Sequence, residues 1–161
     1  MAVDMFLKID GIDGDSMSHK HKGEIELFSF SWGLTAKIST TGGGGGAAGK
    51  PVVQDFIIVK EVSSSSPLLM EKCCTGQHIP SVSLTLASKE TKQEYLKIKL
   101  EDVLISSYQT GAGSGGSVVP MDQVSFHFRS VDIQAADRKG QFKQVSCDFL
   151  QGTNQIAHDN H

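Results

Sequence analysis

Bare backbone amides of a glycine run can cradle an anion, and this chain carries five consecutive glycines, Gly42, Gly43, Gly44, Gly45 and Gly46. The run does not end in Gly-Lys-Ser/Thr, and Lys50-Pro51 leads into an apolar strand rather than a helix, so a phosphate loop is not predicted. Gly113-Ser114-Gly115 lacks the spacing of a nucleophile elbow, which leaves the serines as solvated loop residues. His19, His21, Cys73, Cys74 and His78 are metal-capable types. However, Cys73-Cys74-x3-His78 is not a zinc spacing, and neighbouring helical cysteines diverge by about 100°. Among the carboxylates, Glu101-Asp102 point to opposite faces of a strand and Glu24/Glu26 read as a solvated face, so no acid–base pair is assembled. No catalytic, cofactor-binding or metal-binding residue is predicted, and the chain is not expected to be an enzyme.

The elements that would position these residues are mostly strands. Residues 6–9 form a short apolar strand closed by Gly11, and a polar connection containing His19 and His21 follows. Residues 24–36 read as one long strand whose apolar parity switches, with Ile25 and Leu27 on one face and Phe28, Phe30, Trp32 and Leu34 on the other. A bulge or a change of burial near Leu27 is implied. After the excursion Gly42–Gly46, Ala47, Ala48, Gly49, residues 52–62 have too few polar positions for a one-sided strand and are placed at the sheet centre. Ser66-Pro67 reads as an N-cap and first-turn proline, and Gly76 as a left-handed exit. The one predicted helix therefore covers residues 68–75, pressing Leu68, Leu69 and Cys73 on the β framework.

Val82-Leu84-Leu86 and Leu96-Ile98-Leu100 alternate with polar residues and predict a hairpin. Val124, Phe126 and Phe128 have one parity, Val131 and Ile133 the other, which predicts a bulge near Arg129-Ser130. Val145, Cys147 and Phe149 complete a last strand, and residues 151–161 read as a frayed tail. The predicted architecture is a mainly β domain over residues 1–150, an antiparallel barrel of about seven to eight strands with one short flanking α-helix, because an open sheet of this size exposes two edges.

Composition narrows the function classes. The chain has 161 residues, with 15 Lys+Arg against 18 Asp+Glu and a net charge of −3, and no basic cluster follows a phosphate backbone, so nucleic acid is not a predicted partner. No apolar run is long enough to cross a bilayer, and the start Met1-Ala2-Val3-Asp4-Met5 lacks signal-peptide character, so synthesis and folding are expected in the cytoplasm, with any export by a route that leaves no cleaved leader. Three cysteines, Cys73, Cys74 and Cys147, fit a reducing compartment.

Several stretches, in this order, resemble one family. They are residues 2–9 (AVDMFLKI), His21-Lys22-Gly23-Glu24-Ile25 leading to Ser31-Trp32-Gly33, the glycine run followed by Val53-Gln54-Asp55, and Ser66-Pro67-Leu68-Leu69-Met70. They continue with Gly76-Gln77-His78-Ile79-Pro80, Glu94-Tyr95-Leu96-Lys97-Ile98, Leu100-Glu101-Asp102-Val103 and Ser106-Ser107. Together they resemble the haemolysin-coregulated proteins, Hcp, which build the inner tube of bacterial type VI secretion systems.

The resemblance implies a barrel protomer, six of which form a ring. Rings stack into a tube that a sheath expels from the cell, and a ring holds small effector proteins in its lumen. The implied partners are further copies of the chain, effectors, and sheath and spike proteins. Gly42, Gly43, Gly44, Gly45, Gly46, Ala47, Ala48 and Gly49 look like the family's extended loop, which reaches the neighbouring ring. Lys50-Pro51 stiffens its return. Ser31 is the candidate lumen residue, because a small polar side chain leaves a wall smooth and wet, whereas Trp32 on the other face is expected to anchor the core. The competing reading is a stand-alone soluble β-domain binding module in which the same loops contact a ligand.

Overall fold

The computed structural model describes residues 2–36, 38–39, 47–48, 51–114, 119–149 and 157–159. Thirteen strands and one helix succeed one another over them: β1 (Val3–Ile9), β2 (Ile25–Glu26), β3 (Ser29–Ser31), β4 (Leu34–Thr35), β5 (Ile38–Ser39), β6 (Ala47–Ala48), β7 (Val52–Val53), β8 (Phe56–Glu61), α1 (Ser66–Thr75), β9 (Ile79–Ser88), β10 (Glu94–Gly111), β11 (Met121–Ala136), β12 (Phe142–Asp148) and β13 (Ala157–Asp159).

The alternating segments pair as their patterns demand. β9 and β10 form the predicted hairpin, with Leu84 opposite Ile98 and Val82 opposite Leu100, and β1 lines the other side of β9 with Leu7 opposite Leu84. β10 and β11 form a long second hairpin from Leu96↔Ala135 to Gly111↔Met121. The first half of β11 is flanked by β8, Phe56 opposite Phe126, and its second half by β12, Val131 opposite Cys147. Leu7, Ile58, Leu69, Val103, Val124 and Phe126 are all fully buried. Each large aliphatic or aromatic side chain so placed contributes about 1.5–3 kcal/mol relative to exposure.

The result is a nine-stranded antiparallel sheet, where seven to eight strands were expected, and it does not close as one unbroken ladder. The segment expected to be one long strand explains why. Its start, β2, pairs with β1, its middle, β3, with β8, and its end, β4, with β7. Between β2 and β3 Leu27 N–H donates to Met5 O (3.0 Å) and Phe28 N–H to Val59 O (2.8 Å). The parity switch at Leu27 is thus where the chain changes partners and joins the two sides of a barrel-like curl. Phe28, expected on the apolar face, is turned out and 73% exposed.

The register does not shift at Arg129-Ser130, where a bulge was expected. Pairing passes from Glu101↔Ser130 to Val103↔Phe128 with one residue skipped on each strand, the left-handed Asp102 (φ 52°) among them, and the register shift of β10 lies further on, between Ile105 and Ser107. The helix begins two residues before the predicted 68, at Ser66, with Ser65 in the cap position making no side-chain cap bond. Gly76 closes it at φ 64°, its N–H bonding Lys72 O. Leu69 is buried and Cys73 packs on the core, but Leu68 faces out. β8 is covered on one face and half covered on the other, less than expected from its apolar run. Part of the expected frayed tail, Ala157–Asp159, adds an edge strand to β12.

Candidate functional site

Ser31 lies in a row of side chains that crosses four strands. The registers place Ser31 opposite Ile57, Ile57 opposite Ser125, and Ser125 opposite Ser107. Since strand neighbours alternate sides, this row faces away from Phe30, Ile58, Val124 and Phe126. Ser31 is exposed and Ile57 and Ser107 are half-buried. One row back stand Ser29, Val59, Gln123 and Gln109. These two rows are therefore polar and uncharged, with Ile57 and Val59 as a narrow apolar strip.

Trp32 turns the other way. Its ring packs on the core and lies tilted against Phe128, centroids 5.9 Å apart. Its indole N–H is shut off from solvent and finds no acceptor among the described residues, a cost set against the ring's burial. Of the loop candidates, Ala47 and Ala48 form β6, which pairs with β5. Gly42, Gly43, Gly44, Gly45, Gly46 and Gly49 lie outside the described residues. β4 and β7 pair with each other in a two-stranded sheet of their own, and Leu34, Ile38 and Val52 are exposed.

A charged cluster missed in the sequence sits beneath α1. Lys60 and Asp122 are each 1% exposed, and Lys60 Nζ lies 2.9 Å from Asp122 Oδ2. Lys60 also donates to Ser66 Oγ (3.0 Å) and Glu61 O (3.0 Å), Ser66 Oγ donates to Asp122, and Tyr108 OH donates to Asp122 Oδ1 (2.9 Å). Burial alone would push the Asp122 carboxyl up, but hydrogen bonds from Ser66, Lys60, Thr110 and Tyr108 outweigh it and hold the group below its ordinary range. Tyr108 is raised, by burial first and then by Asp122.

A serine 3.0 Å from a lysine has the makings of an activated nucleophile. Here the ammonium is neutralised by Asp122 and both side chains are buried, so the cluster ties α1 to β8, β10 and β11. Parity was the available signal: Lys60 shares the buried phase of Phe56 and Ile58, and Asp122 that of Val124 and Phe126.

The metal-capable residues are dispersed. His21 is stacked on Phe6, centroids 4.3 Å apart, with Nδ1 2.8 Å from Glu24 Oε2 and Nε2 2.9 Å from Glu94 Oε1. Glu24, expected to be solvated, is therefore one jaw of a clamp that fixes the polar connection to β10. Burial tends to raise the Glu94 carboxyl, but Lys97 and then His21 bring it below its ordinary value. His78 instead bonds Asp102 at 2.6 Å on the surface, Cys73 is half-buried and Cys74 exposed.

A groove of about 610 Å³ on the outward side of β9–β12 is lined by Thr85, Lys97, Lys99, Asp132, Gln144 and Ser146. Its charges pair locally, Lys97 with Glu94 and Lys99 with Glu101, and Asp132 accepts from Gln144 and Ser146.

Known proteins place this architecture. Residues 6–134 match the family described as type VI secretion system effector, Hcp. The chain is 42% identical over 141 residues to Protein hcp1 of Pseudomonas aeruginosa, covering 86% of each. It is similar to the crystal structure of Hcp1 from Salmonella typhimurium, with a TM-score of 0.83 and 32% identity over 98% of this chain and 100% of that one. It is also similar to a solved type six secretion system protein, with a TM-score of 0.86 and 25% identity over 96% of this chain and 100% of the other. A barrel-like β sheet with one flanking helix, matched in sequence and in structure over nearly the whole chain, makes this protein a member of the Hcp family of type VI secretion proteins.

Proposed function

We propose that the chain is the structural subunit of a type VI secretion tube, assembling into rings of six that stack and are expelled, with small effector proteins bound against the Ser31 face in the lumen. The observation that supports assembly most directly is the apolar surface left open on β4, β5 and β7. Leu34, Ile38 and Val52 are 47%, 69% and 44% exposed, and a neighbouring copy that covers them removes apolar surface from water. The partners of this reading are further copies of the chain, effectors, and sheath and spike proteins. The domain spans residues 1–150 with a tail at 151–161, and the assembled tube is cytoplasmic until it is secreted. The chain carries out no catalysis.

A heterologous contact that closes by rotation gives a cyclic oligomer, and six copies of 17.3 kDa amount to about 104 kDa. Native mass spectrometry or light scattering at micromolar concentration should report that ring, and a monomeric mass would overturn the tube reading in favour of a stand-alone binding module. Deletion of residues 43–48 should leave the melting temperature within a few degrees of the parent, because the strands of the nine-stranded sheet lie outside the deleted stretch. Tube formation followed by electron microscopy should fall sharply. Loss of folding in the deletion variant would place the loop in the core instead.

A further inference from the structure

The row beyond Ser31 and Ile57 is not neutral. Asp55 stands just before β8, one alternation from Ile57, and His127 one alternation from Ser125, so both belong to the Ser31 face. The register shift between Ile105 and Ser107 brings Ser106 to the same cluster, re-aiming a side chain as bulges do. Ser106 Oγ donates to Asp55 Oδ2 at 2.7 Å, with Ser125 O a second acceptor at 3.2 Å, and His127 Nδ1 lies 3.3 Å from Asp55 Oδ1.

An ionised carboxylate only accepts hydrogen bonds. In a neutral ring, the hydrogen bond to Asp55 places the proton on Nδ1 and leaves Nε2 as an acceptor. Ser106 Oγ and His127 Nδ1 are both engaged with Asp55, whose carboxylate and the His127 ring belong to side chains 39% and 66% exposed. A carboxylate only accepts, so a partner settling there supplies donors, and the negative charge of Asp55 favours a cationic one.

We propose that Asp55, Ser106 and His127 form a cation-accepting subsite on the Ser31 face, which takes a lysine or arginine side chain of the protein segment docked along Ile57 and Val59. This rests on the reading of the Ser31 face as a docking wall. It adds a selectivity: the neutral serine rows accept any small polar surface, whereas this corner rejects an acidic one.

The test uses the full chain, isotope-labelled, titrated with the capped peptide Gly-Ala-Arg-Ala-Gly and with the same peptide carrying norleucine or glutamate in place of arginine. Only the arginine peptide should saturably shift the amide signals of Asp55, Ser106 and His127. The Asp55→Asn variant should weaken it about threefold, the scale of one exposed ion pair, and added salt should do the same. His127→Gln is the second variant, for the case in which Asp55→Asn does not fold. Equal shifts with all three peptides, shifts elsewhere on the protein, or unchanged affinity in the soluble variant would overturn the subsite. Light scattering on the same samples keeps the two ideas apart: a monomer that binds the arginine peptide retains the subsite and loses the tube, and a ring that ignores the peptide does the reverse.

Discussion

Asp122→Ala should remove about 3–5 kcal/mol of folding stability, because it strands the Lys60 ammonium in the interior without its counter-charge. The same change takes the acceptor from Ser66 at the start of α1 and from Tyr108 on β10. Urea denaturation at fixed protein concentration measures it, the concentration being held because assembly adds to apparent stability. The double variant Lys60→Met/Asp122→Leu should recover most of the loss, since a buried ion pair replaced by apolar groups of similar volume is often neutral or better. A single variant as stable as the parent would mean that water reaches the cluster.

The sign of the pH dependence follows from the direction of the shift. Asp122 is lower in the folded protein than in the unfolded chain, so its contribution is complete above the ordinary aspartate value of about 3.9 and disappears as pH falls through the lower folded value. Glu94 adds to the same acid limb. Asp122→Asn should flatten that limb relative to the parent.

Trp32→Ala should cost roughly 3 kcal/mol, the lower end for loss of a packed aromatic, because the unpartnered indole N–H offsets part of the ring's contribution. Ser31→Gln, one residue away, should leave melting and ring mass unchanged. Its longer side chain enters solvent beside Ile57 and Ser125, while binding of a protein cargo falls severalfold or more as the bulk repeats around the ring. Thermal melts and a pull-down against a purified effector read the pair. If Ser31→Gln unfolds the protein and Trp32→Ala melts like the parent, the two faces of this segment are reversed and the lumen role of Ser31 falls with them.

Within this one segment lies the difference between what local pattern and long-range contact decide. The β9–β10 hairpin, α1 up to Gly76 and the inward phase of Val124, Phe126 and Phe128 were legible because alternation, helix caps and left-handed exits act between near neighbours in the chain. The parity switch at Leu27 was legible too, and with it the opposed faces of Ser31 and Trp32. Its cause was not. It arises from a change of partner, from β1, about twenty positions before it, to β8, about thirty after it.

The same holds for the buried ion pair, where Lys60 and Asp122 are brought together across 62 positions, and for the clamp on His21, whose second carboxylate is 73 positions away. A charged residue in an apolar phase signals that it needs a counter-charge, but not which one. Sequence alone determined the family, the β-rich class and the alternation that gives each strand its inner and outer face. Beyond the β9–β10 hairpin, only the tertiary structure decided which strands border one another, and therefore which polar groups, Asp55 with His127 and Lys60 with Asp122, meet across them, because pairing energy depends on register between segments far apart in the chain.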